Sequence, residues 1–344
     1  MKNAFASRLI AWYGLNGRNL PWRQDKNPYK IWLSEIMLQQ TRVEAVKAYY
    51  LVFLNRFPTI FDLASASEEE VLKLWEGLGY YSRARNLLRC ANEIVSRFGG
   101  AFPQRKGELT KLPGIGGYTA SAIASICFGE RSPAVDGNLF RIYSRLEANA
   151  HYLQEKGQKE FCGNYFARWM EEYNPGDINQ ALMDLGELVC LPNGKPQCDL
   201  CPFADTCKAH LRHKELLYPA KKPQKEKKSE PLIVFLLFYG GKVLLRKRPP
   251  KGLLASLYEF PNVGTKSFDK ARETLKENGL CFGALRFAGE SKHEFTHKKW
   301  NMSWYEGQLT SPPPEDYVLA DPSELKDIYS IPSAFVFGYT KASH

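Results

Sequence analysis

Residues 109–138 read LTKLPGIGGYTASAIASICFGERSPAVDGN, and this stretch decides the fold of the first half of the chain. Three glycines lie in the turn Leu112–Gly117, where glycine permits positive φ and lets the backbone approach a ligand closely. The small residues from Tyr118 to Cys127 predict a helix, so the turn would present free N–H groups at a positive helix end, which suits a phosphate. Asp136 follows on the next loop. Spacing alone leaves an ordinary helix–turn–helix as the alternative.

The composition favours a soluble protein with a polyanionic partner. The 344 residues predict one large or two ordinary domains, and the 44% hydrophobic content is enough for sizeable cores. A net charge of +10 favours nucleic acid or an anionic membrane surface as partner. Arg8 and Asn16 interrupt the apolar N-terminal run, and no later stretch is apolar over the ~18 residues of a spanning helix, so we expect neither a signal peptide nor a membrane span.

Two further segments carry candidate functional residues. Residues 31–50 predict one helix, on which Glu35, Gln39 and Arg42 share a face separate from the apolar stripe. Periodicity alone favours a solvated surface role for Glu35. The run 77–86, GLGYYSRARN, places tyrosines beside arginines, which suits a surface that contacts phosphates and wedges between bases. The alternative is a buried tyrosine pair with solvated arginines.

Four of the eight cysteines form a short cluster. They follow the spacing C-x7-C-x2-C-x5-C at Cys190, Cys198, Cys201 and Cys207. In a reducing compartment these residues are not expected to form disulfides, and four thiolates so close together can hold one metal centre. Spacing leaves two alternatives open, an iron–sulfur cluster and structural zinc with His210 or His213 as a further ligand.

The chain predicts two domains joined by a linker. Helices 161–173 and 179–189 close the first domain, 1–213. Residues 214–231 are a charged, proline-containing linker with little to bury. The second domain, 232–344, should have an α+β fold. Its predicted elements are an apolar strand 232–239, a Gly240-Gly241 hairpin turn into 242–248, a helix 268–278 and short strands near 285–295 and 300–309.

Several segments in combination resemble the adenine DNA glycosylases of the MutY type, a helix-hairpin-helix family. The similar segments are LPWR at 20–23, LSEIMLQQT at 33–41, GLGYYSRARN at 77–86, LPGIG at 112–116 and NQALMDLG at 179–186. The resemblance covers both domains and essentially the whole length. It implies an all-α helix-hairpin-helix glycosylase domain with an iron–sulfur loop at 190–207, followed by an α+β Nudix-like domain.

The resemblance also implies roles for the matched residues. Glu35 would be the catalytic acid, and Asp136 would stabilise the cationic sugar, with Tyr118 and Asn138 in support. Tyr80 would wedge beside the damaged guanine. Some members carry Glu where this chain has Gln180, which leaves a hydrogen-bonding role there. The substrate- or DNA-binding residues that follow from the motifs are Trp22, Arg23, Gln40, Tyr80, Arg83, Gly114, Gly116 and Gln180.

The same resemblance implies a 4Fe-4S cluster on the four clustered cysteines. The family spacing is C-x6-C-x2-C-x5-C, so the first gap here is one residue longer. That extra residue falls in the loop 191–197, which contains Pro and Gly and can absorb it.

In the second domain, residues 272–280 resemble the helix of a Nudix box. Lys276 replaces one metal-binding Glu, and the approach from Gly252 and Glu259 has a different spacing. A Mg²⁺ pyrophosphatase needs that carboxylate cluster, so we expect the fold without the hydrolase activity. The run His293–His297, HEFTH, stands where the family has its Phe-Ser-His recognition loop. The lesion-reading residues that this implies are Phe295, Thr296 and His297.

These observations predict a base-excision-repair enzyme that removes adenine mispaired with 8-oxoguanine, or guanine, in double-stranded DNA. The adenine must be flipped out of the stack before its N-glycosidic bond is hydrolysed. Tyr118 stands where endonuclease III relatives have a lysine nucleophile, so no efficient lyase step is expected. We expect a monomer in a bacterial-type cytoplasm, associated with the nucleoid and not with a membrane. The alternatives are a lyase relative, a non-enzymatic lesion-binding protein and a Nudix hydrolase.

Overall fold

The computed structural model describes residues 4–222, 226–325 and 328–342. Contacts divide the chain into two compact units. The first unit contains Met1–Ala66 and Asn86–Pro223, and the second contains Ser67–Arg85 and Gln224–His344. The predicted domain boundaries stay a prediction. Residues 223–225 of the predicted linker lie outside the described residues, as do 1–3, 326–327 and 343–344 of the predicted domains.

Helices account for the regular structure of the described part of the first unit, and the second unit adds a sheet. Short 3₁₀ turns occupy Pro21–Arg23, Arg168–Met170, Cys198–Leu200, Glu215–Leu217 and Ser333–Phe335. The α-helices are α1 Ala4–Asn16, α2 Pro28–Leu38, α3 Val43–Arg56, α4 Ile60–Ala64, α5 Glu68–Leu74, α6 Ser82–Phe98, α7 Lys106–Leu109, α8 Gly117–Phe128, α9 Gly137–Glu147, α10 Gln158–Ala167, α11 Pro175–Leu188, α12 Lys208–Leu211, α13 Phe268–Glu277 and α14 Val336–Ala342.

Helix α11 is the centre of the first unit, where it packs against α1, α8 and α9. It begins at Pro175, four residues before the predicted start, because the Asn174 side chain accepts hydrogen bonds from the N–H groups of Gly176 (2.9 Å) and Asp177 (3.2 Å). Gly176 lies so close to α8 that an added Cβ would approach the Cα of Ile126 to 2.7 Å. The absence of a side chain there allows the two helices to meet.

The single helix predicted over residues 31–50 is wrong. Helix α2 ends at Leu38, and Arg42 stands at the start of α3, so Arg42 does not share a helix with Glu35. Between them Gln40 has a φ of 58°, a left-handed conformation that breaks the helix. The predicted helix 161–173 is also shorter than expected, since α10 ends at Ala167 and a 3₁₀ turn follows. The predicted helix over 118–127 is confirmed as α8.

A seven-stranded mixed sheet forms the framework of the second unit. Its strands are β1 Lys228–Tyr239, β2 Lys242–Lys247, β3 Tyr258–Glu259, β4 Asn262–Val263, β5 Phe282–Glu294, β6 Lys298–Leu309 and β7 Tyr317–Ala320. The main path runs β3-β2-β1-β6-β5, with β4 on β1 and β7 on β2. Strands β1 and β6 are parallel, and the other pairs are antiparallel.

The sheet has an apolar layer on each face. Ile233, Phe235 and Leu237 pack with Ala271 and Leu275 of α13, while the alternate residues of β1 belong to a second core with Trp304 and Phe335. The predicted hairpin at Gly240-Gly241 and the helix predicted over 268–278 are confirmed. The strands predicted near 285–295 and 300–309 are confirmed but are long rather than short.

The segment Ser67–Arg85 is attached to the C-terminal part of the second unit by polar contacts. Arg85 Nη1 donates to the Ala255 carbonyl (2.7 Å), and Lys247 Nζ pairs with Glu69 Oε1 (2.6 Å). This segment therefore belongs structurally with residues far downstream. Among the described residues, no helix is both long and apolar enough to cross a bilayer.

Candidate active site

A cavity of about 780 Å³ in the first unit brings together most of the residues that the sequence predicted for chemistry. It is lined by the 3₁₀ turn at Pro21, by α2, by the start of α8 and by the residues around Asp136 and on α11. The predicted residues on its wall are Trp22, Arg23, Glu35, Gln40, Gly116, Tyr118, Asp136, Asn138 and Gln180.

Glu35 projects from α2 and is 5% exposed. Asn27 caps this helix by accepting hydrogen bonds from the N–H groups of Tyr29 and Lys30, which fixes the position of Glu35 two turns later. Burial raises the pKa of the Glu35 carboxyl to about 7, and the nearby Asp136 charge adds to the rise. A hydrogen bond from Tyr118 and the charge of Arg23 act in the opposite direction. Within the described chain, no residue forms a hydrogen bond with Glu35 Oε2.

Asp136 is the N-cap of α9. Its Oδ1 accepts hydrogen bonds from the N–H groups of Asn138 and Leu139, both at 2.9 Å. Burial raises the pKa of the Asp136 carboxyl, and these N–H groups oppose that rise. The loop before Asp136 is held by Asn179 of α11, which donates to the Ser132 carbonyl and accepts from the N–H of Ala134, each at 3.0 Å. The carboxylate therefore stands on a rigid support.

Tyr118 and Asn138 lie beside the two carboxyl groups. Burial, followed by the charges of Glu35 and Asp136, raises the pKa of the Tyr118 phenol, so its hydroxyl keeps its proton at neutral pH. The Asn138 side chain accepts a hydrogen bond from Arg141 Nη2 (2.8 Å) and donates to Glu187 Oε1 (3.3 Å). Both predicted supporting residues are thus brought to the cavity.

Behind the surface of the cavity, a completely buried carboxylate pairs with two arginines that line it. Asp184 accepts hydrogen bonds from Arg23 Nη1 (2.6 Å) and Nη2 (2.9 Å) and from the N–H (2.9 Å) and Nε (2.7 Å) of Arg18. The sequence predicted Arg23 but neither Arg18 nor Asp184. Trp22, next to Arg23, is buried edge-on against Tyr50 at 5.3 Å between ring centroids.

Three more residues that line the cavity are polar or charged. Gln40, at the break after α2, is exposed, and Gln180 on α11 is buried. Lys159, which the sequence pattern did not single out, also lines the cavity. Its Nζ lies 4.0 Å from the point where a Cβ on Gly117 would be. An amine therefore stands near the start of the hairpin helix.

The glycine turn 112–117 connects α7 to α8 as a helical hairpin. Gly114 has a φ of +74°, and a Cβ there would lie 2.6 Å from the Cβ of Asn86. Gly116 precedes α8 with open space around its Cα. Glycine at 114 is thus required by conformation and by space, while Gly116 leaves the first N–H groups of α8 accessible.

All four clustered cysteines line one small cavity in the first unit. Arg145 of α9 donates from Nη1 to Cys190 Sγ (3.2 Å) and to the Leu191 carbonyl (2.9 Å). His210 lines the same cavity, and its Nδ1 lies 2.6 Å from Glu215 Oε1. One ligand atom each from Cys198, His210 and Glu215 falls within 4.8 Å of the others. The donor set includes four thiols and one imidazole.

A separate cavity of about 320 Å³ lies within the second unit and contains the predicted lesion-reading residues. The Tyr80 hydroxyl is 2.8 Å from Thr296 Oγ1, and Tyr80, Phe295, Thr296 and His297 all line the cavity. Phe295 packs on Trp300 with ring centroids 4.9 Å apart. Two segments 216 residues apart in sequence therefore form one surface.

Arg83 does not line that cavity. It is 7% exposed, and its Nη2 donates to the carbonyls of Leu78 (2.9 Å) and Gly79 (3.1 Å). Its guanidinium also lies 5.5 Å from the centroid of the Tyr80 ring. In this structure Arg83 supports the turn that presents Tyr80, and a DNA contact by Arg83 stays a prediction.

Comparison with known proteins identifies the family. Residues 33–163 match the HhH-GPD superfamily of base excision DNA repair proteins, and 233–336 match the NUDIX domain. The chain is 37% identical over 298 residues to the adenine DNA glycosylase of Buchnera aphidicola subsp. Schizaphis graminum. The aligned region covers 85% of this chain and 84% of that protein. It is 35% identical to the human adenine DNA glycosylase, with 90% of this chain and 69% of that protein covered. The chain belongs to the adenine DNA glycosylase family.

Solved structures agree with the helical fold of the first unit. A thermostable thymine-DNA glycosylase superposes with a TM-score of 0.56 at 26% identity, covering 60% of this chain and 95% of that one. Endonuclease III in a non-covalent DNA complex gives a TM-score of 0.52 at 20% identity, which shows a shared fold. Since the chain belongs to this family, it is a DNA glycosylase of base-excision repair. The predicted fold class is confirmed.

The raised pKa of Glu35 should make the free energy of unfolding fall as the pH rises from about 4.5 through 7. An acid whose folded pKa is about 7 and whose ordinary value is 4.5 favours the folded state most below pH 4.5, and that contribution is lost as the pH rises through 7. The loss should be about 3 kcal/mol, at ~1.36 kcal/mol per pKa unit. Urea unfolding at several pH values should show this decline in the wild type and not in Glu35→Gln. The surface variant Glu172→Gln serves as control and should show the wild-type decline. A decline of equal size in Glu35→Gln would contradict the assignment of this pH dependence to Glu35.

Proposed function

We propose that this protein removes adenine paired with 8-oxoguanine, or with guanine, from double-stranded DNA and leaves the abasic strand uncut. The observation that carries the proposal is that two carboxyl groups, those of Glu35 and Asp136, line one cavity, and that the pKa of Glu35 is about 7. The cavity volume falls within the roughly 300–1,000 Å³ typical of small-molecule sites. A base within a duplex must be flipped out to enter such a cavity.

Glu35 would act as the general acid. With a pKa of about 7, a large fraction of the carboxyl carries its proton at neutral pH. The oxygen without a protein partner would give that proton to the departing purine as the C1′–N bond breaks and its electron pair goes to the base. Water would then supply the new oxygen on C1′, and its proton would return to Glu35.

Asp136 would stabilise the positive charge that develops on the sugar. Its Oδ1 is held by two main-chain N–H groups, which favour the ionised form against the effect of burial. Since the supporting loop is fixed by Asn179, the carboxylate need not reorganise when charge develops. The two carboxyl groups thus divide the work of proton donation and charge stabilisation.

Glu35→Gln should lower single-turnover adenine release by about 10²–10⁴-fold or more, because the amide cannot donate an acidic proton. Duplex binding should persist, and Glu172→Gln should behave as wild type. In the wild type, release should decline as the pH rises through about 7. The same assay measures strand cleavage, which we expect to be inefficient because the Tyr118 side chain has no amine. Lys159 is the amine that lines the cavity, so the measurement also tests that residue. Release by Glu35→Gln within threefold of wild type, or efficient strand cleavage by the wild type, would contradict this mechanism.

The second-unit cavity supports discrimination of the base opposite adenine. Tyr80 is 46% exposed and has a φ of 49° in a turn that includes Gly79, so part of its side chain is accessible to a ligand. The hydrogen bond to Thr296 fixes the hydroxyls of both residues relative to each other. An aromatic ring that can insert between bases and a hydroxyl that can hydrogen-bond a base edge, held together in this way, suit recognition of one modified purine.

Tyr80→Phe keeps the ring and removes only the hydroxyl, so it should lower the preference for adenine opposite 8-oxoguanine over guanine by about fivefold, near 1 kcal/mol for one hydrogen bond. Thr296→Val should have a similar effect, while Thr296→Ser, which retains the hydroxyl, should not. The double variant Tyr80→Phe/Thr296→Val should lose no more than either single variant. Unchanged preference in both single variants would remove this pair from recognition.

We propose that Cys190, Cys198, Cys201 and Cys207 hold a 4Fe-4S cluster. The residues fit the group, since all four thiols line one cavity and Arg145 already donates to one of the sulfurs. The bound cluster would supply a structural crosslink for the loop 190–207, and no step of adenine release passes through it. The nearby His210 and Glu215 keep zinc as the competing occupant.

Cys198→Ser should lose bound iron and weaken DNA binding, because the loop would no longer be fixed. Cys281→Ser, which alters an exposed cysteine of the second unit, should retain both. Iron, sulfide and zinc analysis of the purified proteins, together with visible absorbance, measures the occupant. If the wild type contains zinc and no iron, the cysteines hold a zinc centre and the cluster proposal is wrong. Full iron content in Cys198→Ser would exclude that cysteine as a ligand.

A further inference from the structure

Asp184 has an unusual place for an acid in a DNA-binding enzyme. It is completely buried on α11, and it holds two arginines whose side chains line the catalytic cavity. A buried carboxylate is costly unless it is paired, and here four hydrogen bonds from Arg18 and Arg23 compensate it. Burial alone would raise the pKa of Asp184, but Arg23 and Arg18 hold that pKa below its ordinary value, so the group is an anion.

We propose, on the basis of the function proposed above, that Asp184 is a positioning residue for the acid step: it fixes the Arg23 guanidinium and balances its charge so that Glu35 retains its proton. Both Nη atoms of Arg23 are engaged by Asp184, and Nη1 also donates to the Arg18 carbonyl (3.3 Å). The Tyr13 ring lies 5.9 Å from the same guanidinium. Arg23 therefore acts on the cavity mainly through its charge.

The charges around Glu35 explain why this balance matters. The Asp136 carboxyl at the start of α9 and the Tyr118 hydroxyl of α8 face Glu35. Cys127, also on α8, and Arg23 of the 3₁₀ turn are the other nearby titratable groups. Of these groups, Arg23 is the cation, and its charge favours the ionised form of Glu35.

Around Arg23 itself stand Asp184, Tyr13 and Glu35, and Arg18 shares Asp184 with it. Neutralising Asp184 would leave the positive charge of Arg23 without its direct partner. Glu35 would then lose its proton at a lower pH.

The experiment is the pH dependence of single-turnover adenine release. In Asp184→Asn the decline on the alkaline side should move to lower pH, by about half a unit or more, while Asp184→Glu should keep it near the wild-type position. Arg23→Met, which removes one of the two arginine partners of Asp184, should move the decline to higher pH. The double variant Asp184→Asn/Arg23→Met should return it toward the wild type.

A purely structural role would predict a different result, namely lower release by one factor at every pH with the decline unmoved. That result in folded Asp184→Asn and Arg23→Met would overturn the proposal. Circular dichroism and bound iron establish folding, and if Asp184→Asn does not fold, the shift in Arg23→Met decides alone. Absence of adenine release from the wild type at every pH would instead refute the proposed function, so the two failures are distinguishable.

Discussion

The hydrogen bonds of Asn179 are the interaction on which the catalytic cavity depends. This side chain is completely buried, and its amide group donates to Ser125 Oγ (2.7 Å) and the Ser132 carbonyl while its oxygen accepts from the N–H of Ala134. It thereby joins α11 to α8 and to the loop that ends at Asp136. Each group left unpaired in such a site would cost about 1–3 kcal/mol. The loop that carries the carboxylate is therefore fixed by the core before any ligand arrives.

The same helix carries two more buried polar groups close to the site. Gln180 and Asp184 follow Asn179 on α11, and Arg23 and Arg18, which line the cavity, bind Asp184. A helix at the centre of a core normally buries apolar residues, because polar ones are costly without partners. For Asn179 and Asp184, hydrogen bonds offset this cost and also orient residues of the cavity. The acidity of Glu35 then follows from burial and from the balance between Asp136 and Arg23.

Local signals in the sequence predicted much of the fold. Glycines marked the helical hairpin and the Gly240-Gly241 turn, a run of small residues indicated α8, and a continuous apolar run indicated β1. The break at Gln40 was missed because no Gly or Pro accompanies its positive φ. Asp184 was quoted within a motif but given no role, since its partners lie 161 and 166 residues away. Pairing over such distances is a property of packing, and periodicity in one segment cannot express it.

The attachment of Ser67–Arg85 to downstream residues changes how recognition must be studied. Tyr80 and Thr296 share a hydrogen bond, and Arg85 and Glu69 bind Ala255 and Lys247. A chain cut in the predicted linker would lose Thr296 and would also deprive Ser67–Arg85 of these contacts. Poor discrimination between 8-oxoguanine and guanine by such a fragment would then have two explanations, a displaced Tyr80 or the loss of Thr296. Single side-chain changes at the shared hydrogen bond separate the two causes, because they leave the supporting contacts in place.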